Sequence, residues 1–142
     1  MTDFVFGPYR ASVDPARTRA YYARPWETCD CAGCRNFLRA VGTFPESVTE
    51  FLRALGLDPY KPAEICTYGG NFASAWYHVH GELVSGGAGY VLADGVSVSC
   101  DADCDLLPDD FPRPCFQVEL WFERLPWTLS EPLFFSRQEN QL

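Results

Sequence analysis

The sequence predicts an α+β fold, with two N-terminal helices packed on one face of a mainly antiparallel sheet formed by the C-terminal half. Three observations lead to it. Apolar residues recur at helical spacing before Pro62 and follow strand-like patterns after it, and Asp58-Pro59-Tyr60-Lys61-Pro62 marks the change with two prolines. Helices first and strands afterwards, joined by Gly-, Asp- and Pro-rich turns, argue for antiparallel pairing rather than β-α-β units.

The elements follow in order. Residues 3–7 alternate weakly and read as a short strand, and Ser12–Thr18 reads as a turn entering a short helix. Tyr21, Tyr22 and Trp26 then carry aromatic bulk towards a group of cysteines. From residue 31 to 41, Cys34, Phe37, Leu38 and Val41 obey the i, i+3, i+4, i+7 rule, with Arg35 and Arg39 on the other side, which predicts an amphipathic helix. A second helix over about 45–55 is predicted by Val48, Phe51, Leu52 and Leu55, with Thr43 and Glu46 as a capping box and Gly56 as the left-handed stop. Beyond Pro62 the predicted strands are 63–68, 74–84, 89–93, 96–100 and 115–123, with Asp94-Gly95 as a hairpin turn. The last of these alternates Phe116, Val118, Leu120 and Phe122 against Gln117, Glu119, Trp121 and Glu123, so one face meets a core. Leu125-Pro126-Trp127 and Leu133-Phe134-Phe135 are expected to lie back over the domain.

A chain of 142 residues fits a single domain, 1–142, that hides roughly 68–70% of its unfolded surface. With 47% apolar residues, including eleven Phe, seven Tyr and four Trp, it is a globular sequence and not a disordered one. No segment is long enough to span a bilayer, and Met1–Pro8 has neither a basic n-region nor an apolar h-region, so a cytoplasmic location is expected. Seven cysteines, an odd number without a secretory signal, favour reduced thiols or metal ligands over a disulfide framework. The net charge of −8 is uneven: residues 62–142 hold twelve Asp/Glu against three Lys/Arg. Such a surface repels nucleic acid and membranes and suits a basic protein partner.

Cys29, Cys31 and Cys34 form the pattern C-x-C-x-x-C immediately before the first predicted helix. Three soft ligands at this density are candidates for a structural zinc, with Gly33 allowing a tight turn. A closed site needs a fourth ligand, which the sequence does not identify; Cys66, His78, His80, Cys100, Cys104 and Cys115 are available. The same thiols admit two other readings. Burial would make them small hydrophobes, whereas a helix N-terminus beside Cys31, with Arg35 one turn on, would lower a thiol's pKa for redox chemistry.

His78 and His80 are the only histidines, and period two places them with Trp76 and Glu82 on one strand face. They are either satisfied within the sheet or part of a metal or acid–base site. Cys100-Asp101-Ala102-Asp103-Cys104-Asp105 with Asp109-Asp110 reads as a solvated acidic loop, since it lacks the EF-hand offsets, and Gly86-Gly87-Ala88-Gly89 reads as a hairpin turn.

Cys29–Phe37, Leu55–Glu64 and Leu125-Pro126-Trp127 resemble segments of a family of small bacterial proteins with no assigned activity. That resemblance implies a bacterial cytoplasmic protein and supplies no catalytic residues. The reading that follows is a non-enzymatic binding or interaction module with a structural zinc at Cys29, Cys31 and Cys34. The alternative is a metal-dependent hydrolase or thiol redox enzyme using His78 and His80 or the cysteine cluster.

Overall fold

The computed structural model describes residues 1–27, 29–69 and 71–130. Its elements are β1 (Thr2–Phe6), β2 (Tyr9–Val13), α1 (Pro15–Tyr22), α2 (Ala32–Val41), α3 (Glu46–Ala54), β3 (Glu64–Thr67), β4 (Ala73–Ser85), β5 (Tyr90–Ala93), β6 (Val96–Asp101) and β7 (Cys115–Phe122). The strands form one antiparallel sheet in the order β1-β2-β4-β7-β6-β5, with β3 also pairing with β4. The α+β class is as expected, but the arrangement differs in two ways. The C-terminal half does not build the sheet alone, because the hairpin β1-β2 joins it through β4. Helix α1, the short helix expected ahead of the pair, makes three helices, and Ser12 and Val13, expected in a turn, belong to β2.

Each helix starts for a local reason. Asp14 caps α1 by accepting a hydrogen bond from Arg17 N at 3.0 Å, and Pro15 occupies the first turn, where its missing N–H costs nothing. In α2 the apolar stripe buries Cys34, Phe37, Ala40 and Val41. The capping box expected for α3 does not form: Pro45 is the N-cap and makes no side-chain bond. Thr43 instead turns to the end of α2, donating both its hydroxyl, at 2.6 Å, and its N–H, at 2.8 Å, to Ala40 O. Gly56 ends α3 with φ +90°, and a Cβ there would stand 2.3 Å from Pro15 O, so both conformation and space require glycine.

The helices cover the apolar face of the sheet. Ala75, Tyr77 and Val79 of β4 lie beside Leu120, Val118 and Phe116 of β7, and all six are fully buried. Phe37 and Phe44 close over Phe122, with ring centroids 6.0 and 5.0 Å away. The sheet also curls until its ends meet. Gly7 lies against the Tyr90 ring, and Tyr9 donates its hydroxyl to Gly87 O at 2.9 Å.

The opposite face is roofed at one end by the segment from residue 102 to 114, which buries Phe111. Asp105 anchors this roof by donating its N–H to Gln117 Oε1 at 2.7 Å. Past β7 the chain returns to the helices as expected for Leu125–Trp127: Leu125 is buried, Asn36 donates to Pro126 O at 2.9 Å and accepts from Thr128 N at 2.7 Å. Leu133-Phe134-Phe135 lies outside the described residues.

The long strand β4 carries an unusual edge. Opposite β7 it pairs with β3 over Ala73–Trp76 and with β2 over Gly81–Ser85, which leaves residues 77–80 without a strand. Helix α1 fills the gap with side chains. The Tyr22 hydroxyl accepts from His78 N at 2.9 Å and donates to His78 O at 3.0 Å, while Thr18 Oγ1 accepts from His80 N at 3.1 Å. Asp14 N donates to His80 O at 2.9 Å and completes the row.

Removing the Tyr22 hydroxyl would leave both a buried donor and a buried acceptor without a partner. Tyr22→Phe is expected to lower unfolding stability in urea by about 1–3 kcal/mol. Tyr21→Phe, which removes only an exposed bond to Asp110, should change it by less than about 1 kcal/mol.

Candidate metal centre and its cavity

The three cysteines enter the site from one helix start. Cys31 is the N-cap of α2, with φ −71° and ψ 161°, and its sulfur accepts from Cys34 N at 3.4 Å. Cys29, two residues earlier, accepts from Cys31 N at 3.4 Å. Cys34 lies one turn into the helix on the face it shares with Phe37, which is why it is buried while Cys29 and Cys31 are exposed. The three sulfurs all lie within 4.8 Å of one another. Gly33 has no left-handed backbone, and a Cβ there would make only ordinary contacts, 3.7 Å from Thr67 and 4.0 Å from Cys31 Sγ. The turn therefore comes from the cap geometry and not from glycine.

The thiols differ in how readily they ionise. Burial works against Cys31, but hydrogen bonds from the Cys34 backbone, from the Cys29 and Cys34 thiols and from the Gly33 backbone outweigh it and hold its pKa below the usual thiol value. For Cys34, burial and then the neighbouring Cys31 and Cys29 sulfurs push the pKa far up. Of these two thiols Cys31 is therefore the readier to lose its proton, and hydrogen bonds support its sulfur when it does. Arg35 is held by Asp30, donating from Nε to Asp30 O at 3.1 Å.

Among the described residues, no other His, Cys, Asp or Glu joins the three sulfurs as a ligand. Cys66, Cys100, Cys104 and Cys115 are free thiols outside the cluster. The two histidines are buried, and the roof satisfies them. His78 Nε2 lies 2.9 Å from Asp105 O, and His80 Nδ1 lies 2.8 Å from Pro114 O and 3.2 Å from Pro112 O. Carbonyl oxygens only accept, so those nitrogens carry the protons. The acidic loop is partly structural as well, since Asp110 pairs with Arg24 at 2.7 Å and accepts from Tyr21.

A cavity of about 240 Å³ opens beside the cluster, where the edge of β4 lacks a strand. Cys29 and Cys34 both line it, and so does His78. Its aromatic walls are Tyr21, Tyr22, Trp26 and Phe111, with Leu38 and Ile65 adding aliphatic surface. Tyr22 stacks on Trp26 at 5.2 Å, and Tyr21 meets Phe111 edge-on at 4.7 Å. Sequence reasoning noted the aromatic run before the cysteines but not this cavity. Phe111 comes from the roof, 77 residues beyond Cys34, and no local spacing links the two. The chain matches no family model, no curated protein and no solved structure.

Two outcomes follow. Under iodoacetamide at about neutral pH, Cys31 is expected to be alkylated well before Cys34, as read by peptide mass spectrometry. Burial also holds the His78 imidazole below its usual 6.5, with its hydrogen bonds to the Asp105 carbonyl and the Gln117 side chain offsetting only part of that effect. Below that value the unfolded chain binds more protons than the folded one. Stability is therefore full above about pH 6.5 and declines as pH falls towards the depressed folded value. The melting temperature should drop between about pH 7 and 5, and drop less steeply in His78→Gln.

Proposed function

We propose that this protein is a non-enzymatic zinc-binding module in which Cys29, Cys31 and Cys34 hold the ion. The observation that carries the reading is the gathering of three thiols within 4.8 Å at one helix start. A tetrahedral zinc with Zn–S bonds of about 2.3 Å brings its sulfurs about 3.8 Å apart, so modest rotamer changes would close the trio on an ion. Thiolate softness favours zinc over magnesium or calcium. Zinc would displace the thiol protons, and the lowered pKa of Cys31 makes its own the easiest to lose. Among the described residues no fourth protein ligand joins the trio, so a water or a bound molecule would complete the tetrahedron.

A second reading rests on the lowered pKa of Cys31. It and Cys34 form a C-x-x-C pair at a helix N-terminus, the setting of thiol–disulfide exchange. Oxidation by a small-molecule disulfide would join the two sulfurs and pass two electrons and two protons to that disulfide, releasing it as two thiols.

Elemental analysis with thiol titration before and after chelation separates these readings. The zinc reading expects about one zinc per chain, loss of it in Cys29→Ser or Cys31→Ser, and protection of three thiols that chelation restores. No stoichiometric metal, with all seven thiols free in denaturant and native thiol reactivity unchanged by chelation, would overturn it. Loss of two thiols under mild oxidation, mapped to Cys31 and Cys34, would support the redox reading.

A further inference from the structure

We infer that the cavity beside the cysteines binds a small organic ammonium ion, quaternary or protonated, in the aromatic box of Tyr21, Tyr22, Trp26 and Phe111. The inference concerns the cavity and stands whether or not zinc is bound.

Size sets the first limit. About 240 Å³ lies below the roughly 300–1,000 Å³ typical of pockets for drug-sized ligands, so the occupant is small. The walls set the second. Four aromatic residues line it, and aromatic rings carry quadrupoles that attract cations, the more so where water is excluded. Leu38 and Ile65 suit the alkyl groups of a substituted ammonium.

Charge decides the sign of the ligand. Among the described residues the cavity is lined by the carboxylates Glu27 and Glu64 and by no Lys or Arg. An anionic ligand would meet repulsion without a partner, whereas a cation is offset twice. Tyr21 already shows that this cluster receives cations: the Arg24 guanidinium lies over its ring, 4.6 Å from the centroid. That arginine is neutralised by Asp110 at 2.7 Å and does not line the cavity, so it does not cancel the two glutamates. His78 adds no charge near neutral pH, because burial disfavours its imidazolium.

The test is calorimetric titration of the full chain with choline and with its neutral isostere 3,3-dimethylbutan-1-ol. Choline should bind saturably at one site, about fivefold or more tighter than the isostere. Trp26→Ala should weaken choline at least about tenfold, and Glu27→Gln with Glu64→Gln about threefold to tenfold, with isostere affinity unchanged by the glutamate changes. Equal affinity for choline and the isostere would overturn the proposal, as would no saturable choline binding. If Trp26→Ala does not fold, the glutamate double variant decides, since Glu27 is exposed and Glu64 only half-buried. Unchanged choline affinity in that variant would also overturn it. Zinc content measured on the same samples keeps the outcome separate from that of the metal reading.

Discussion

The fold depends on how the backbone of β4 is satisfied between residues 77 and 80. An unpaired N–H or C=O buried at a sheet edge is costly, and here two residues expose both groups to the interior. A continuous partner strand would be the ordinary remedy. Helix α1 does the same work with one phenol, one hydroxyl and one backbone amide. Because Tyr22 both gives and receives, a single oxygen replaces two ladder bonds. The side chain must then sit at a fixed depth, and its burial, which pushes the phenol pKa far up, reflects that position.

Substituting a helix for a strand has a structural result beyond satisfaction. A strand would have filled the edge completely, whereas a helix touches it through selected side chains and leaves room alongside. The cavity occupies that room, bounded by α1, the start of α2, the entry to β3 and the roof. The cysteines border it because α2 begins there. Their unequal surroundings come from the same placement: Cys34 is carried inward by the apolar stripe of its helix, and Cys31 stays at the cap, where backbone donors reach its sulfur.

Much of the fold was legible before any coordinates. The stripe of Cys34, Phe37 and Val41 and the alternation of Phe116, Val118, Leu120 and Phe122 are local patterns, and both faces are where the periods place them. Gly56 was readable for the same reason. The role of Thr43 was not, because a threonine between two helices can serve either end, and only the position of Ala40 O decides. The recruitment of β1 and β2 to the sheet was also hidden: the weak alternation over 3–7 belongs to β1, which pairs only with β2, and β2 itself, whose partner β4 lies some seventy residues away, carries no strand pattern of its own. At the site, the cysteine spacing was visible, but the aromatic box was not, since Phe111 reaches it through tertiary folding alone.

The strand order carries a consequence for biosynthesis. Among the described residues, β7 is the last strand of the sheet in chain order and lies at the centre, between β4 and β6. The ladder therefore consists of two separately made panels, β1-β2-β4 with β3 and β5-β6, which have no hydrogen-bonded seam until residues 115–122 leave the ribosome. Until then one long edge of β4 is open, with Tyr77 and Val79 lacking their neighbours Val118 and Phe116. A nascent chain in this state exposes an edge able to pair with another chain, so the interval between translating β4 and β7 is when the protein most needs protection from its own copies.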